Sequence, residues 1–334
     1  MNASKLNLSS EGLGLDIKDV AGLVTFDNKR GFFGERLSGV FLEQRLQGSL
    51  DTSLWNEHEK SLDLSLSSRM TDGELALLLA TDVKLPISGA FNYNLDLNIA
   101  TGSNTDLQYS ISTDLVGLGI QAPPPYGKPE QEARELKLSR FWSFDNQQGR
   151  WGLDIKGWFD VNLLDGVGFR DGEIDTGLVR FGHQGKYKLP ESGIEFVGDI
   201  PEADLLEWQS FISDFSPAAN QDGPLPDWLS GFQVNIGQLT VGTETFNNAD
   251  ISGILIDPTV MSIGVKDEGR IDGQIHIPLA RQHNLKVSLA KLYLSPVGYD
   301  LTESELVPQD IPLVDVSIGD LRIGEKLLGS WSWQ

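Results

Sequence analysis

Apolar and polar residues alternate one for one along most of this chain, and that period of two is its strongest constraint. Phe91-Asn92-Tyr93-Asn94-Leu95-Asp96-Leu97-Asn98-Ile99 shows it clearly. Leu62-Asp63-Leu64-Ser65-Leu66, Phe159-Asp160-Val161-Asn162-Leu163, Ile271-Asp272-Gly273-Gln274-Ile275-His276-Ile277 and Leu285-Lys286-Val287-Ser288-Leu289 repeat it. Successive side chains of a strand point to opposite faces, so the pattern predicts strands with one apolar and one polar face. Turn clusters such as Asp27-Asn28-Lys29-Arg30-Gly31 and Asp145-Asn146-Gln147-Gln148-Gly149 separate the runs, as in an all-β protein.

Each apolar face gains roughly 25 cal/mol per Å² on burial, and helical signals are too few to cover so many strands. The sheet must therefore cover itself, by sandwiching or by curling. The expected fold is mainly β: an elongated, curled, mostly antiparallel sheet forming a hydrophobic groove, with one or two short helices. A filled β core and an open groove are both compatible with the pattern. In the second case the lining calls for an extended, apolar ligand, an acyl chain. The candidate lining residues are Leu95, Leu97, Ile99, Tyr109, Ile111, Leu153, Ile155, Val161, Leu163, Val234, Ile236, Val287 and Leu289, on a face with almost no polar interruption.

Two segments carry a helical period. Glu74 to Ala80 reads as a two-turn helix with Asp72 as its cap. From Pro201 to Phe215, Leu205, Leu206, Trp208, Phe211, Ile212 and Phe215 fall at helical spacing behind an acidic first turn, Pro201-Glu202-Ala203-Asp204. Pro226-Asp227-Trp228-Leu229 reads as one short turn. Between Leu115 and Leu136 the chain passes Gly117, Gly119, Pro123-Pro124-Pro125 and Gly127-Lys128-Pro129. Proline has no N–H to give a ladder, so this stretch predicts strand, rigid turn, strand. An N-terminal β segment (1–134) and a C-terminal β segment (135–334, helix near 202–215) are expected to make one continuous sheet. A motif, V-x-I-G-x-L-x-[VI]-G, occurs at Val234–Gly242 and again at Val316–Gly324, an offset of 82 residues. Repetition on this scale suggests a stacked β architecture.

Composition removes several functions. With 26 basic and 48 acidic residues the net charge is −22, which repels nucleic acid and gives no attraction to an anionic membrane surface. The absence of cysteine excludes disulfides, thiolate metal sites and cysteine nucleophiles. No window nears the roughly 18 apolar residues of a membrane-spanning helix, and no signal peptide is visible. Trp331-Ser332-Trp333-Gln334 reads as a strand cut midway. The chain is thus either cytosolic or a piece of a longer protein. His58, His183, His276 and His283 lack metal-ligand spacing, and no nucleophile elbow, phosphate loop or calcium loop occurs. Asp145, Asp154, Asp160, Asp165 and Asp171 lie near Trp142, Trp151 and Trp158. Such a set fits carbohydrate binding, but in so acidic a chain it fits better as acids on an outer face with tryptophans packed at sheet edges and ends. No catalytic residue, metal or cofactor is expected.

Several stretches together resemble the AsmA-like superfamily and, within it, the YhdP-type proteins of the Gram-negative envelope. The proline turn, Gln121-Ala122-Pro123-Pro124-Pro125-Tyr126-Gly127-Lys128-Pro129, is similar to a proline-rich G-K-P segment of that family. Gly193 to Trp208, the repeated glycine motif and Leu15 to Phe26 are similar to others. The family's membrane anchor has no counterpart here. The resemblance implies a non-enzymatic, periplasmic segment of an inner-membrane-anchored protein. Such a segment would offer an apolar groove to phospholipid acyl chains between the inner and outer membranes. A structural module binding other envelope proteins and a carbohydrate-binding β protein are the alternative readings.

Overall fold

The computed structural model describes residues 2–10, 15–41, 44–54, 60–78, 85–101, 106–143, 148–165, 176–182, 188–215, 229–257, 260–278, 285–296 and 314–333. The chain divides into two compact units. One holds Met1–Gln121 and Gly127–Gly177, the other Ala122–Tyr126 and Leu178–Gln334. The main division falls near residue 177.

In the first unit, β1 (Asn2–Ser10), β2 (Leu15–Asp27), β3 (Gly31–Phe41), β4 (Gln44–Leu54), β5 (Lys60–Thr71), β6 (Ile87–Thr101) and β7 (Asp106–Thr113) pair antiparallel in chain order. The short β8 (Leu118–Ile120) pairs with the start of β6, so β7 is free to pair with β9 (Leu136–Ser143). Next come β10 (Gln148–Ile155) and β11 (Phe159–Asp165), again antiparallel. The sheet curls enough that Ile17 of β2 and Leu37 of β3 share one core with Leu64, Phe91, Tyr93, Leu95 and Tyr109. It thus covers itself, as too few helices require.

β12 (Thr176–Phe181) spans the division. The second unit continues with β13 (Gly193–Asp204), β14 (Leu229–Val241), β15 (Glu244–Asp257), β16 (Val260–Lys266), β17 (Ile271–Pro278), β18 (Leu285–Leu294), β19 (Val314–Ile323) and β20 (Lys326–Trp333). Neighbours in this order pair antiparallel, except that β13–β14 and β18–β19 are parallel. The protein is mainly β and mostly antiparallel, with two helices among the described residues.

Both helices start differently from their sequence signals. In α1 (Asp72–Leu78) the cap is Thr71 rather than Asp72. The Glu74 N–H donates to Thr71 Oγ1 at 3.3 Å and the Thr71 N–H to Glu74 Oε2 at 2.7 Å, a reciprocal capping box. The helix α2 (Leu205–Phe215) begins after the acidic turn rather than with it. Glu202, Ala203 and Asp204 instead extend β13, in register with Gln238, Leu239 and Thr240 of β14. Asp204 then accepts the N–H groups of Leu206 and Glu207 as the cap. Of Pro226–Leu229, only Leu229 is among the described residues, as the first residue of β14.

The proline turn is held by a buried lysine. Lys128 is 3% exposed, and its Nζ donates to the carbonyls of Leu118, Pro129 and Glu132 at 2.7, 3.0 and 2.7 Å. All three ammonium protons are used, which offsets the cost of burying the charge. Burial still lowers its pKa, against the pull of nearby carboxylates led by Glu132. The Pro124-Pro125 bond is cis.

The sequence repeat has one structural meaning in both copies. β14 and β19 are each the second strand of a parallel pair, and each leads into a hairpin. Gly242 and Gly324 start those hairpin turns at φ +62° and +57°, a conformation that disfavours a side chain. A Cβ on Gly237 would lie 2.7 Å from the Pro201 carbonyl oxygen, and one on Gly319 would lie 2.8 Å from that of Ala290. Gly237→Ala and Gly319→Ala should each destabilise the fold by about 1–3 kcal/mol. Gly73→Ala, where a Cβ meets nothing within 4 Å, should be neutral or stabilising. Urea denaturation of the three variants checks this.

Candidate functional site

Residues directly opposite one another in a ladder share a face, so strand register converts alternation into rows across a sheet. In the second unit one such row runs Phe196, Phe232, Gly253, Ile263, Ile275, Val287, Val316, Trp333, from β13 to β20. The next row, two residues along, runs Gly198, Val234, Ile251, Val265, Gly273, Leu289, Ile318, Trp331. Neither contains a polar side chain. At about 4.8 Å per strand the rows extend for about 34 Å along the sheet, and lie about 7 Å apart. From Ile263 through Val316 every member of the first row is half-buried. The opposite face carries Gln233, Ser252, Gln274, His276, Lys286 and Ser317, polar and mostly exposed.

The first unit has the same construction. Leu66, Leu95, Ile111, Leu138, Leu153 and Val161 form one row, and Leu64, Leu97, Tyr109, Arg140, Trp151 and Leu163 its neighbour. Of the candidate residues, Leu95, Ile111, Leu153 and Val161 thus fall in one row, and Leu97, Tyr109 and Leu163 in the next. Ile99 and Ile155 lie on the same face beyond them. Val234 and Leu289 share a row of the second unit, Val287 lies in the adjoining one, and Ile236 stands beside Ala249. Leu95, Tyr109, Ile155, Ile236 and Leu289 are buried. Leu97, Ile99, Ile111, Leu153, Val161, Leu163, Val234 and Val287 are half-buried. Sequence reasoning missed Phe232, Ile251, Ile263, Val316 and Ile318 as members of the rows. Their alternation was visible, but only register aligns them.

One charged residue interrupts the apolar face of the first unit. Arg140, 0% exposed, sits in the second row of the first unit, between Tyr109 and Trp151 in register. Its guanidinium lies 4.5 Å from the centroid of the Trp151 ring, and Tyr109 meets the same ring edge-on at 6.1 Å. A cation over an indole face is attracted by the ring quadrupole. Burial pushes the Tyr109 phenol up to about 12, with Arg140 pulling the other way. Alternation alone hid this residue, because Leu136-Lys137-Leu138-Ser139-Arg140 looks like a strand ending in a polar residue. Trp151 is therefore packed rather than presented. Trp158 is buried, beneath the Arg134 guanidinium, and Trp151 is half-buried under Arg140, so these two tryptophans do not form a platform with Asp154 and Asp160. Asp145 and Asp171 lie outside the described residues.

In the second unit a polar knot clamps the end of the apolar face. Arg270 donates to the carbonyls of Thr245 and Tyr293 at 2.7 and 3.1 Å and to the Glu244 carboxylate. It lies over the Phe246 ring at 5.1 Å. Glu244, itself buried, also accepts the Ser295 N–H at 2.7 Å and hydroxyl at 3.0 Å. β15, β17 and β18 are thereby tied at one end.

The sequence model of the YhdP protein family matches residues 1–334, the whole chain. The chain belongs to the YhdP family. YhdP proteins form a family of the cell envelope connected with lipid transport. No curated protein and no solved structure matches the chain. No described helix is long and apolar enough to cross a membrane.

The knot gives this YhdP-family chain a pH dependence of known sign. Burial pushes the Glu244 carboxyl up, but hydrogen bonds from Arg270 and Ser295 outweigh it and leave the pKa below its ordinary 4.5. A lowered carboxylate stabilises the fold above its unfolded value, and that contribution is lost as pH falls through the folded value. Denaturation measured at falling pH should show stability declining below about pH 4.5, and Glu244→Gln should remove part of that slope.

Proposed function

We propose that the apolar rows bind the acyl chains of phospholipids. In this reading the chain is a periplasmic segment of a longer, inner-membrane-anchored protein that moves phospholipid between the inner and outer membranes. The observation that carries it is the half-buried row Ile263, Ile275, Val287, Val316, apolar across successive strands and backed by a polar face. Such a lining offers dispersion contacts and no hydrogen bonds, so it holds a hydrocarbon chain without fixing its position. Sliding requires that quality. YhdP-family membership supports the same reading. No residue acts as a catalyst in it, and none is individually essential, because each adds only contact area.

A second reading, an assembly module for envelope proteins, draws on β20. Among the described residues it pairs only with β19, and its Leu327 and Trp333 are 65% and 70% exposed. Exposed apolar side chains of this kind suit contact with a partner protein.

A photo-crosslinking amino acid at Ile275 or Val287 should capture phospholipid in cells, whereas one at Gln274 or Lys286 on the opposite face should not. Equal capture from both faces, or capture from neither, would sink the lipid reading. Ile275→Asp or Ile111→Asp places a charge where desolvation costs several kcal/mol. Each should reduce the phospholipid retained in native mass spectra of the folded protein.

A further inference from the structure

The polar face of the first unit holds a cleft that the lipid reading leaves unused. Its volume is ≈ 380 Å³, and Asp63, Ser65, Asp96, Asn98, Gln108 and Ser110 line it. Leu64 and Leu97 complete the lining, but register places their side chains on the opposite, apolar face. The polar residues form two rows of their own. Asp63, Asn98 and Gln108 stand opposite one another on β5, β6 and β7, and Phe141 of β9 continues that row. Ser65, Asp96 and Ser110 form the other. Phe141 is 38% exposed, an aromatic ring presented among polar neighbours. Asp96 accepts the Ser65 hydroxyl at 2.7 Å, and Asp63 accepts the Asn98 amide, so both carboxylates are oriented.

The chemistry of this set selects among ligand classes. Two carboxylates in a chain of net charge −22 repel phosphate and other anions. No group of three metal-binding side chains occurs among the described residues, so a resident cation lacks a ligand set. An extended peptide needs a free strand edge to add to. Here β5, β6, β7 and β9 are each paired on both sides. A neutral polyol meets no such objection. Its hydroxyls can donate to Asp63 and Asp96 and exchange bonds with Asn98, Gln108 and Ser110. The apolar face of a sugar ring can lie on Phe141. From β5 to β9 the distance is about 14 Å at the usual strand spacing, longer than a single sugar.

We propose that this cleft binds a neutral oligosaccharide laid across β5, β6, β7 and β9, with Asp96 as the main acceptor and Phe141 as the platform. The site is independent of the apolar rows, so the protein would engage glycan on one face and lipid on the other. Saturation-transfer NMR of the full 334-residue chain with maltohexaose and with chitohexaose tests it. At least one sugar should receive saturation. Phe141→Ala and Asp96→Ala should each weaken binding about five- to tenfold. Gln233→Ala, on the polar face of the second unit, should leave binding unchanged, with circular dichroism establishing that all variants are folded. No transfer to either sugar would overturn the proposal. So would transfer that survives both substitutions in the cleft.

Discussion

Backbone ladders hold side chains on a lattice, two residues apart along a strand and one strand apart across it. Everything else in this protein depends on that lattice. Strict alternation on each strand gives one apolar and one polar face, but only register lines the apolar residues into rows. Val287 alone is an ordinary half-buried valine. Between Ile275 and Val316, each directly opposite it, it is part of a hydrocarbon surface that crosses strand after strand. The glycines of the repeated motif serve the same lattice. Gly237 and Gly319 let a parallel neighbour approach where a side chain would press on its carbonyl.

Three cations show how charge is accommodated within the sheet. Lys128 places its ammonium among three carbonyls. Arg270 is shared between carbonyls and the Glu244 carboxylate at a strand end. Arg140 is the exception in position, lying within an apolar row, where Trp151 supplies an aromatic face. Desolvation penalises an isolated charge heavily, so these sites also specify register: a one-residue slip would separate each cation from its partners. In that sense these cations, Arg270 only partly buried, guard the alignment on which the rows depend.

The polar face follows from the same alternation but has a different chemistry. Serine, asparagine and aspartate are frequent on the strands of the first unit, and of those described only Ser61 and Asp160 are buried. Short polar side chains on neighbouring strands bond to one another, as Ser65 does to Asp96 and Asn235 to Asp250. They keep the face soluble and bring acceptors close together. An acidic chain of this kind gains solubility from its polar face while its other face stays apolar.

Much of this was legible in the sequence. Alternation determined strands, the scarcity of helical period implied a sheet that covers itself, and the candidate residues all fall on the apolar faces that alternation assigns. Glycines in register announced a repeated structural unit. Helix starts were less legible, because Thr71 and Asp204 compete for their neighbours with strand pairing, which is a tertiary matter. The rows, the place of Arg140 among them, the carbonyl cage around Lys128 and the polar cleft were decided by tertiary structure alone. The physical reason is that alternation states which face a side chain takes, whereas its neighbours on that face come from other strands, and only folding chooses their register.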